Sequence, residues 1–431
     1  MPFERLSASP RRIAVIGGGI SGLGAAHYLA DDHHVTLFET EQRLGGHART
    51  RVAGRNGDQP VDTGFIVFNR ANYPLLCDLF ARLDVPVAPS NMSFAASLGG
   101  GAFEYGLASV RALFAQPKNA VDPRFLRMLR DIVRFNARAL DAARDDTQPL
   151  GDFLAEMGTG PWFRDRYLLP LSGAIWSTPS QQVLDFPARA LVRFFENHAL
   201  LHHTGQHQWF TVRGGSVEYV RRLAASLTQQ GADLRTGAAV AGIRRDVRGA
   251  EVRAHGGEWE RFDDVILATH SDTSLSLLSD ASAAERRILG AIAYQPNRMV
   301  LHNDTALMPR RRACWSSWNY TEDVSELGGP IDLTYWMNSL QPIPEDDPLF
   351  VTLNPRRAVR EEAIFDECEL RHPVYDLGAF EAQAAMRDWN GTRNTWYCGA
   401  WMKNGFHEDG LSSAFDVAGA IRARAGLVAA E

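Results

Sequence analysis

The sequence predicts an α/β chain in which a split Rossmann-type nucleotide-binding domain is interleaved with a mixed α+β domain. Three observations carry this expectation. A short β-rich apolar run, Arg12 to Ile16, leads into Gly17-Gly18-Gly19-Ile20-Ser21-Gly22 and then into a helix-like stretch, Leu23 to Leu29. A second β-rich run, His34 to Phe38, ends in an acid, Glu39. Strand-like segments followed by small residues return late in the chain, at Phe262 to Thr269 and at Trp396 to Ala400.

Each part of the first segment has a separate physical task. Gly17 makes the tight turn out of the strand, Gly19 lets backbone approach a pyrophosphate, and Gly22 lets helix and strand pack closely. Ile20 and Ser21 open the helix, whose free N–H groups face the phosphates. Glu39, twenty residues beyond Gly19, is placed to grip ribose hydroxyls.

The chain has 431 residues, too many for one ordinary core, so two domains are expected. At 45% hydrophobic and 22% charged it reads as a globular protein, and its net charge of −6 argues against nucleic acid as a partner. Cys77, Cys314, Cys368 and Cys398 are scattered without CxxC or zinc spacing, as free thiols of a reducing compartment are. The start, MPFERLSASPRR, has no apolar signal region, and no segment is long and apolar enough to span a bilayer. The expected location is cytoplasmic, with any membrane contact peripheral, on the inner face of the cytoplasmic membrane.

Further segments distinguish one dinucleotide from another. Arg43-Leu44-Gly45-Gly46-His47 follows Glu39 closely, and Val61-Asp62-Thr63-Gly64-Phe65 comes next. Arg213-Gly214-Gly215-Ser216, a β-rich stretch from Val240 to Arg253, and Asp263 to Thr269 lie in the middle. Trp396 to Ala400 and Gly410-Leu411-Ser412-Ser413-Ala414 close the chain. In this order they resemble the flavin amine oxidase and phytoene desaturase superfamily, with its GR2-like FAD-binding domain. The resemblance implies non-covalently bound FAD, with Arg43 on a phosphate, Gly45, Gly46 and His47 along the diphosphate and ribityl chain, and Gly64 beside the flavin ring. It also implies Val240 against the adenine, and Gly399 with a helix start at Gly410 and Leu411 facing the flavin. One departure stands out: Ala400 occupies the place where an acid often holds the ribityl chain. On this reading residues 10–80, 205–280 and 390–431 form the FAD domain, and 81–204 and 281–389 the substrate domain.

The intervening chain has the character expected for a long apolar substrate. Between Pro123 and Leu140, arginines at 124, 127, 130, 134 and 138 fall on one helical stripe with Phe125, Met128, Leu129, Ile132 and Phe135 around the rest. Residues 101–140 carry seven basic and three acidic groups, so an anionic membrane surface is one expected partner; a solvated helix packed on the core is the plain alternative. Ala174 to Ser177, Asp185 to Pro187, Arg193 to His198, Gln208-Trp209 and Gly405 to Gly410 together resemble one branch of the superfamily. Its members are often described as predicted NAD/FAD-binding proteins and tend to be encoded beside fatty-acyl methyltransferases. The branch includes enzymes that dehydrogenate methyl-branched unsaturated acyl chains on the way to furan fatty acids.

The chemistry implied is oxidation of a fatty-acyl or phospholipid chain. An allylic C–H would pass hydride to flavin N5, the methyl branch would stabilise the developing cation, and a base would then take a proton to leave a diene. Candidate bases are His407, Glu408 and His270, with helix capping an equal reading for Glu408 and Asp409. Lys403 is a candidate near flavin N5. His202, His203 and His207 are close in sequence but lack metal-site spacing, so no metal is expected. Two other readings stay open: an amine oxidase, which needs a compact aromatic cage beside the flavin, and a non-catalytic FAD-binding membrane accessory protein. The electron acceptor is left open among oxygen, a quinone and a carrier protein.

Overall fold

A computed structural model describes residues 10–176, 180–202, 205–322 and 332–424. Ser177 and His203, singled out above, lie outside the described residues. The chain opens with β1 (Arg12–Ile16), α1 (Ile20–Leu29) and β2 (His34–Phe38). Four of the five residues of β1 are buried, as an apolar strand inside a parallel sheet must be. The sheet has five parallel strands in the order Asp233–Arg235, β2, β1, Asp264–Leu267, Thr395–Tyr397. Its strands therefore come from three distant stretches, all within residues 10–80, 205–280 and 390–431.

Helix α1 is apolar on nearly every side because it is covered on nearly every side. One face lies on the sheet, and the C-terminal helix, His407–Arg424, crosses another. Glycines set both distances. A Cβ at Gly22 would sit 1.8 Å from the Gly17 carbonyl oxygen, and one at Gly24 would sit 2.6 Å from Leu411 Cδ1.

The second layer system is a seven-stranded sheet. Its order is Ile364–Val374, Ala293–His302, Phe350–Leu353, Asp332–Trp336, Trp318–Glu322, Phe94–Leu98, Phe103–Gly106. All neighbours are antiparallel except Trp318–Glu322 beside Phe94–Leu98. Further helices are α2 (Pro74–Arg82), α3 (Val110–Leu113) and α4 (Pro123–Ala142). Phe125, Met128 and Phe135 of α4 are buried in one apolar cluster with Phe94 and Tyr105 of the sheet and with the helix Ala188–Asn197. A small sheet, Val67–Asn69, Trp209–Val212 and Val87–Ser90, links the two systems.

Candidate active site

One cavity of about 1430 Å³ runs from the glycine loop after β1 into the helical layer. At its nucleotide end the wall is backbone. Gly17 has φ +106° and gives its N–H to the Phe38 carbonyl at 2.8 Å; a Cβ there would lie 2.9 Å from the Ala268 carbonyl oxygen. Gly19 precedes α1, and a Cβ on it would meet nothing nearer than the Gly46 Cα, at 4.0 Å. Gly45 gives its N–H to the Gly18 carbonyl at 2.8 Å, and both Gly45 and Gly46 have positive φ. The two glycine loops thus face each other across an open slot, with Ile20 and Ser21 at the helix start. Glu39 stands at its end: Oε2 accepts from Gly18 N at 2.6 Å and Oε1 from Glu41 N at 2.8 Å. Each oxygen keeps lone pairs for a hydroxyl donor.

His47 follows in the same wall. It is half-buried, and burial lowers its pKa below the ordinary histidine value, so the ring is neutral at pH 7. One nitrogen bonds the Arg371 backbone carbonyl, while Nε2 is buried without a partner. A neutral imidazole that donates at Nδ1 presents a lone pair at Nε2. That orphan acceptor suits a hydroxyl of a ribityl chain rather than a phosphate oxygen. His270 and His372 lie beside it, with ring centroids 5.8 and 5.6 Å from His47. Burial lowers His270 to about 4 and His372 to about 3, so both are neutral as well. His270 stacks on Tyr294 at 4.3 Å, and His372 Nδ1 meets Asn297 Nδ2 at 2.9 Å.

Gly64 lines the next part of the cavity, and a Cβ on it would overlap the His47 carbonyl oxygen at 2.0 Å. Asp62 anchors this turn. It is fully buried and accepts from Thr50 Oγ1 at 2.6 Å, Ser216 N at 2.8 Å, Ser216 Oγ at 2.7 Å and Gln341 Nε2 at 3.0 Å. Burial raises its pKa to about 6 against these hydrogen bonds. Three distant parts of the chain are tied together by this one carboxyl. Phe65, next in sequence, stacks on His407 at 3.9 Å, and His407 Nε2 shares a 2.6 Å hydrogen bond with the Tyr219 hydroxyl. Burial takes His407 down to about 3. Gly399, Ala400, Phe406 and His407 close this part of the wall.

Several expected site residues sit elsewhere. Arg43 does not line the cavity; it donates to the Ala48 and Gly46 carbonyls at 3.1 and 3.0 Å and pairs with Glu41, so it braces the glycine turn. Val240 is buried in the core with Phe38 and Ile243, behind the lining. The C-terminal helix starts at His407, three residues before the expected start, so Gly410 ends its first turn, Leu411 begins its second, and both pack on α1. Glu408 is not a base in the cavity. Its two oxygens accept from Leu75 N at 2.8 Å and Leu76 N at 2.9 Å, capping α2 where the free N–H groups would otherwise be unpaired. Lys403 turns away to Ser412 and Asp416. Asp409 bonds Phe406 N and Asn404 N, as a cap of its own helix does. Cys398 is fully buried outside the lining, its thiol pushed up to about 12 by burial. His202 does line the cavity and lies 3.4 Å from a Glu196 oxygen, His207 meets the Asn197 carbonyl, and no metal-binding cluster occurs among the described residues.

Sequence reasoning missed His198. It lines the substrate half of the cavity, stacked on Phe194 at 3.9 Å and 5.8 Å from Phe406. Its Nδ1 lies 2.9 Å from the Phe194 carbonyl, which leaves Nε2 as an acceptor. Burial lowers its pKa. The available signal was the i, i+4 spacing of Phe194 and His198 at a helix end. Beyond the glycine loops the lining is mainly aliphatic and aromatic, interrupted by polar side chains such as Ser93, Ser109, Asn136, His202 and Gln206, and among the described residues its carboxylates, Glu39 and Glu41, are at the nucleotide end.

Comparisons agree with this architecture. The family described as flavin containing amine oxidoreductase matches residues 20–307. Coproporphyrinogen III oxidase of Mycobacterium tuberculosis (strain ATCC 25618 / H37Rv) is 45% identical over 74 residues, a stretch covering only 16% of either chain. Among solved structures, a CLA-producing fatty acid isomerase from P. acnes superposes with TM-score 0.68 at 17% identity, over 96% of this chain and 98% of that one. Putrescine oxidase bound to putrescine gives TM-score 0.70 at 15% identity, over 96% and 99%. The glycine slot, the Glu39 carboxylate and the orphan acceptor of His47 fit FAD, the cofactor of this fold. The chain belongs to the flavin containing amine oxidoreductase family and is an FAD-dependent oxidoreductase.

Proposed function

We propose that this enzyme dehydrogenates a methyl-branched, unsaturated fatty-acyl chain, on the route to furan fatty acids. The observation that carries the reading is the continuous cavity, whose far half is walled mainly by Leu107, Leu113, Ile132, Leu171, Ile175 and Trp176, with Ser109, Asn136 and His202 between them, and has no carboxylate among the described residues. A cation there would be desolvated without a counter-charge, whereas an alkyl chain would gain about 0.8 kcal/mol per buried CH₂. The fold is shared with a fatty acid isomerase, which supports an acyl substrate without specifying it.

FAD, when bound, supplies the hydride acceptor. The protein's own part is to hold the chain, exclude water and take a proton. Phe65, Phe194 and Phe406 give rigid walls around the reacting carbon. His198 is the proton acceptor in this reading, since it lines the cavity, its Nε2 has no hydrogen-bond partner among the described residues, and burial lowers its pKa. His407 is a wall, its Nε2 engaged by Tyr219. The substrate loses a hydride and a proton, and an external acceptor reoxidises the cofactor.

Product analysis tests this. Incubated with an electron acceptor and the methylated acyl lipid, the holoenzyme should yield a product two hydrogens lighter by mass spectrometry. Conversion of an amine panel with the lipid unchanged would move the chain to an amine oxidase activity.

A further inference from the structure

The cavity reaches the surface between α3 and α4, and the rim there is unusual for a water-facing surface. Leu107 and Val110 form one side, Leu129 and Val133 the other. Val110 is 75% exposed and Val133 54%. Residues seven apart on a helix share a face, so Leu126, Val133 and Leu140 make one stripe along α4, and all three are exposed. At 100° per residue, Arg127, Arg130, Arg134 and Arg138 occupy the neighbouring sector. Phe125, Met128, Ile132 and Phe135 take the opposite side and are buried. The helix thus has three sectors: buried, exposed apolar, and basic.

The charge on this face is neutralised only in part from within. Of the three acids in residues 101–140, Glu104 is buried and pairs with Arg311, Asp131 is buried and pairs with Arg130, and Asp122 caps α4 and pairs with Arg124. Arg127, Arg134 and Arg138 make no ion pair among the described residues. At the end of the stripe, Leu140 shares a surface recess of about 380 Å³ with Asp141, Arg144, Arg189 and Arg193, of which Arg189 pairs with Asp146.

We infer that this face docks on an anionic phospholipid bilayer, with the Leu126–Val133–Leu140 stripe in the acyl boundary and the arginines at the phosphates. That orientation points the cavity mouth into the lipid, so an acyl chain would enter without crossing water. Charge complementarity selects the occupant: a second copy of this face would bring its arginines against these ones, whereas a phosphate surface neutralises them.

Vesicle sedimentation of the FAD-loaded protein tests this. Binding is expected to phosphatidylcholine vesicles containing phosphatidylglycerol, to be weak on phosphatidylcholine alone, and to fall with salt. A triple variant, Arg127→Gln, Arg134→Gln and Arg138→Gln, should weaken anionic binding by roughly a hundredfold, since each cation near such a surface contributes about a factor of five. The pair Leu126→Asp and Leu140→Asp should also release the protein, and none of these five residues touches the cavity, so the flavin spectrum should stay unchanged. Absence of binding, equal binding to both vesicle types, or variants that bind like the parent would overturn the proposal. So would a dimer that the Leu126→Asp, Leu140→Asp pair converts to monomer while vesicle binding is retained. Vesicle binding without acyl oxidation would leave this surface standing and remove the reaction proposed above.

Discussion

Glu39 and Glu408 are both carboxylates with two backbone N–H partners or more within reach, yet they do different work. Glu39 ends β2 at the mouth of the glycine slot and retains lone pairs toward it. Replacing it by alanine removes a charge-assisted hydrogen bond worth roughly 1.5–3 kcal/mol, so FAD affinity should fall about ten- to hundredfold by titration. Unchanged affinity would show that the ribose is held elsewhere. Glu408 faces the start of α2, and burial raises its pKa against the two amides it accepts from. Glu408→Ala should cost on the order of 1–2 kcal/mol of stability in a denaturant titration and leave the rate of flavin reduction within about twofold. A large rate loss in folded protein would return Glu408 to catalysis. For His198, the lowered pKa has a definite sign. A base must be unprotonated, so the acid limb of the flavin-reduction rate should lie below pH 6.5, the ordinary histidine value. His198→Asn should remove that limb and slow reduction by about 10²-fold or more, with His407→Asn much milder. A limb above 6.5, or a variant as fast as the parent, contradicts the assignment.

At the scale of elements, the legible parts were those whose requirements are local. Gly17, Gly19 and Gly22 each answer a constraint within one turn, so strand, slot and helix could be read from spacing alone. Arg43 could not, because its carbonyl partners are created by the loop it closes. Glu408 could not, because α2 lies more than three hundred residues earlier in the chain. The start of the C-terminal helix was read from a glycine, whereas Asp409 reaches back to the amides of Asn404 and Phe406 and so starts the helix earlier. The α1 contact gives a sharp test of this packing. Gly24→Val would force its side chain onto Leu411, and should destabilise the protein by about 1–3 kcal/mol, read as a lowered thermal midpoint. A midpoint that does not move would mean the two helices are less tightly joined.

Across the whole molecule, the parallel sheet was foreseeable and the seven-stranded one was not. The strand Ile364–Val374 alternates half-buried and exposed positions only as far as Leu370, and its pairing with Ala293–His302 depends on partners some seventy residues away. The cavity between the two systems has no sequence signature, since Ile132, Trp176 and His198 meet only in the fold. The basic stripe of α4 was visible as a spacing, while the apolar stripe beside it and the cavity rim required the structure.

In the function proposed here, a methyl-branched unsaturated acyl chain delivers its electrons to the bound flavin. Anaerobic mixing of the oxidised holoenzyme with that chain, followed at the visible flavin band, measures this directly. Bleaching by the methylated chain, with a response from its unmethylated parent slower by roughly tenfold or more, is the predicted result, because the methyl group stabilises the charge that develops at the allylic carbon. A flavin that stays oxidised with both chains, or that bleaches equally with both, would contradict it.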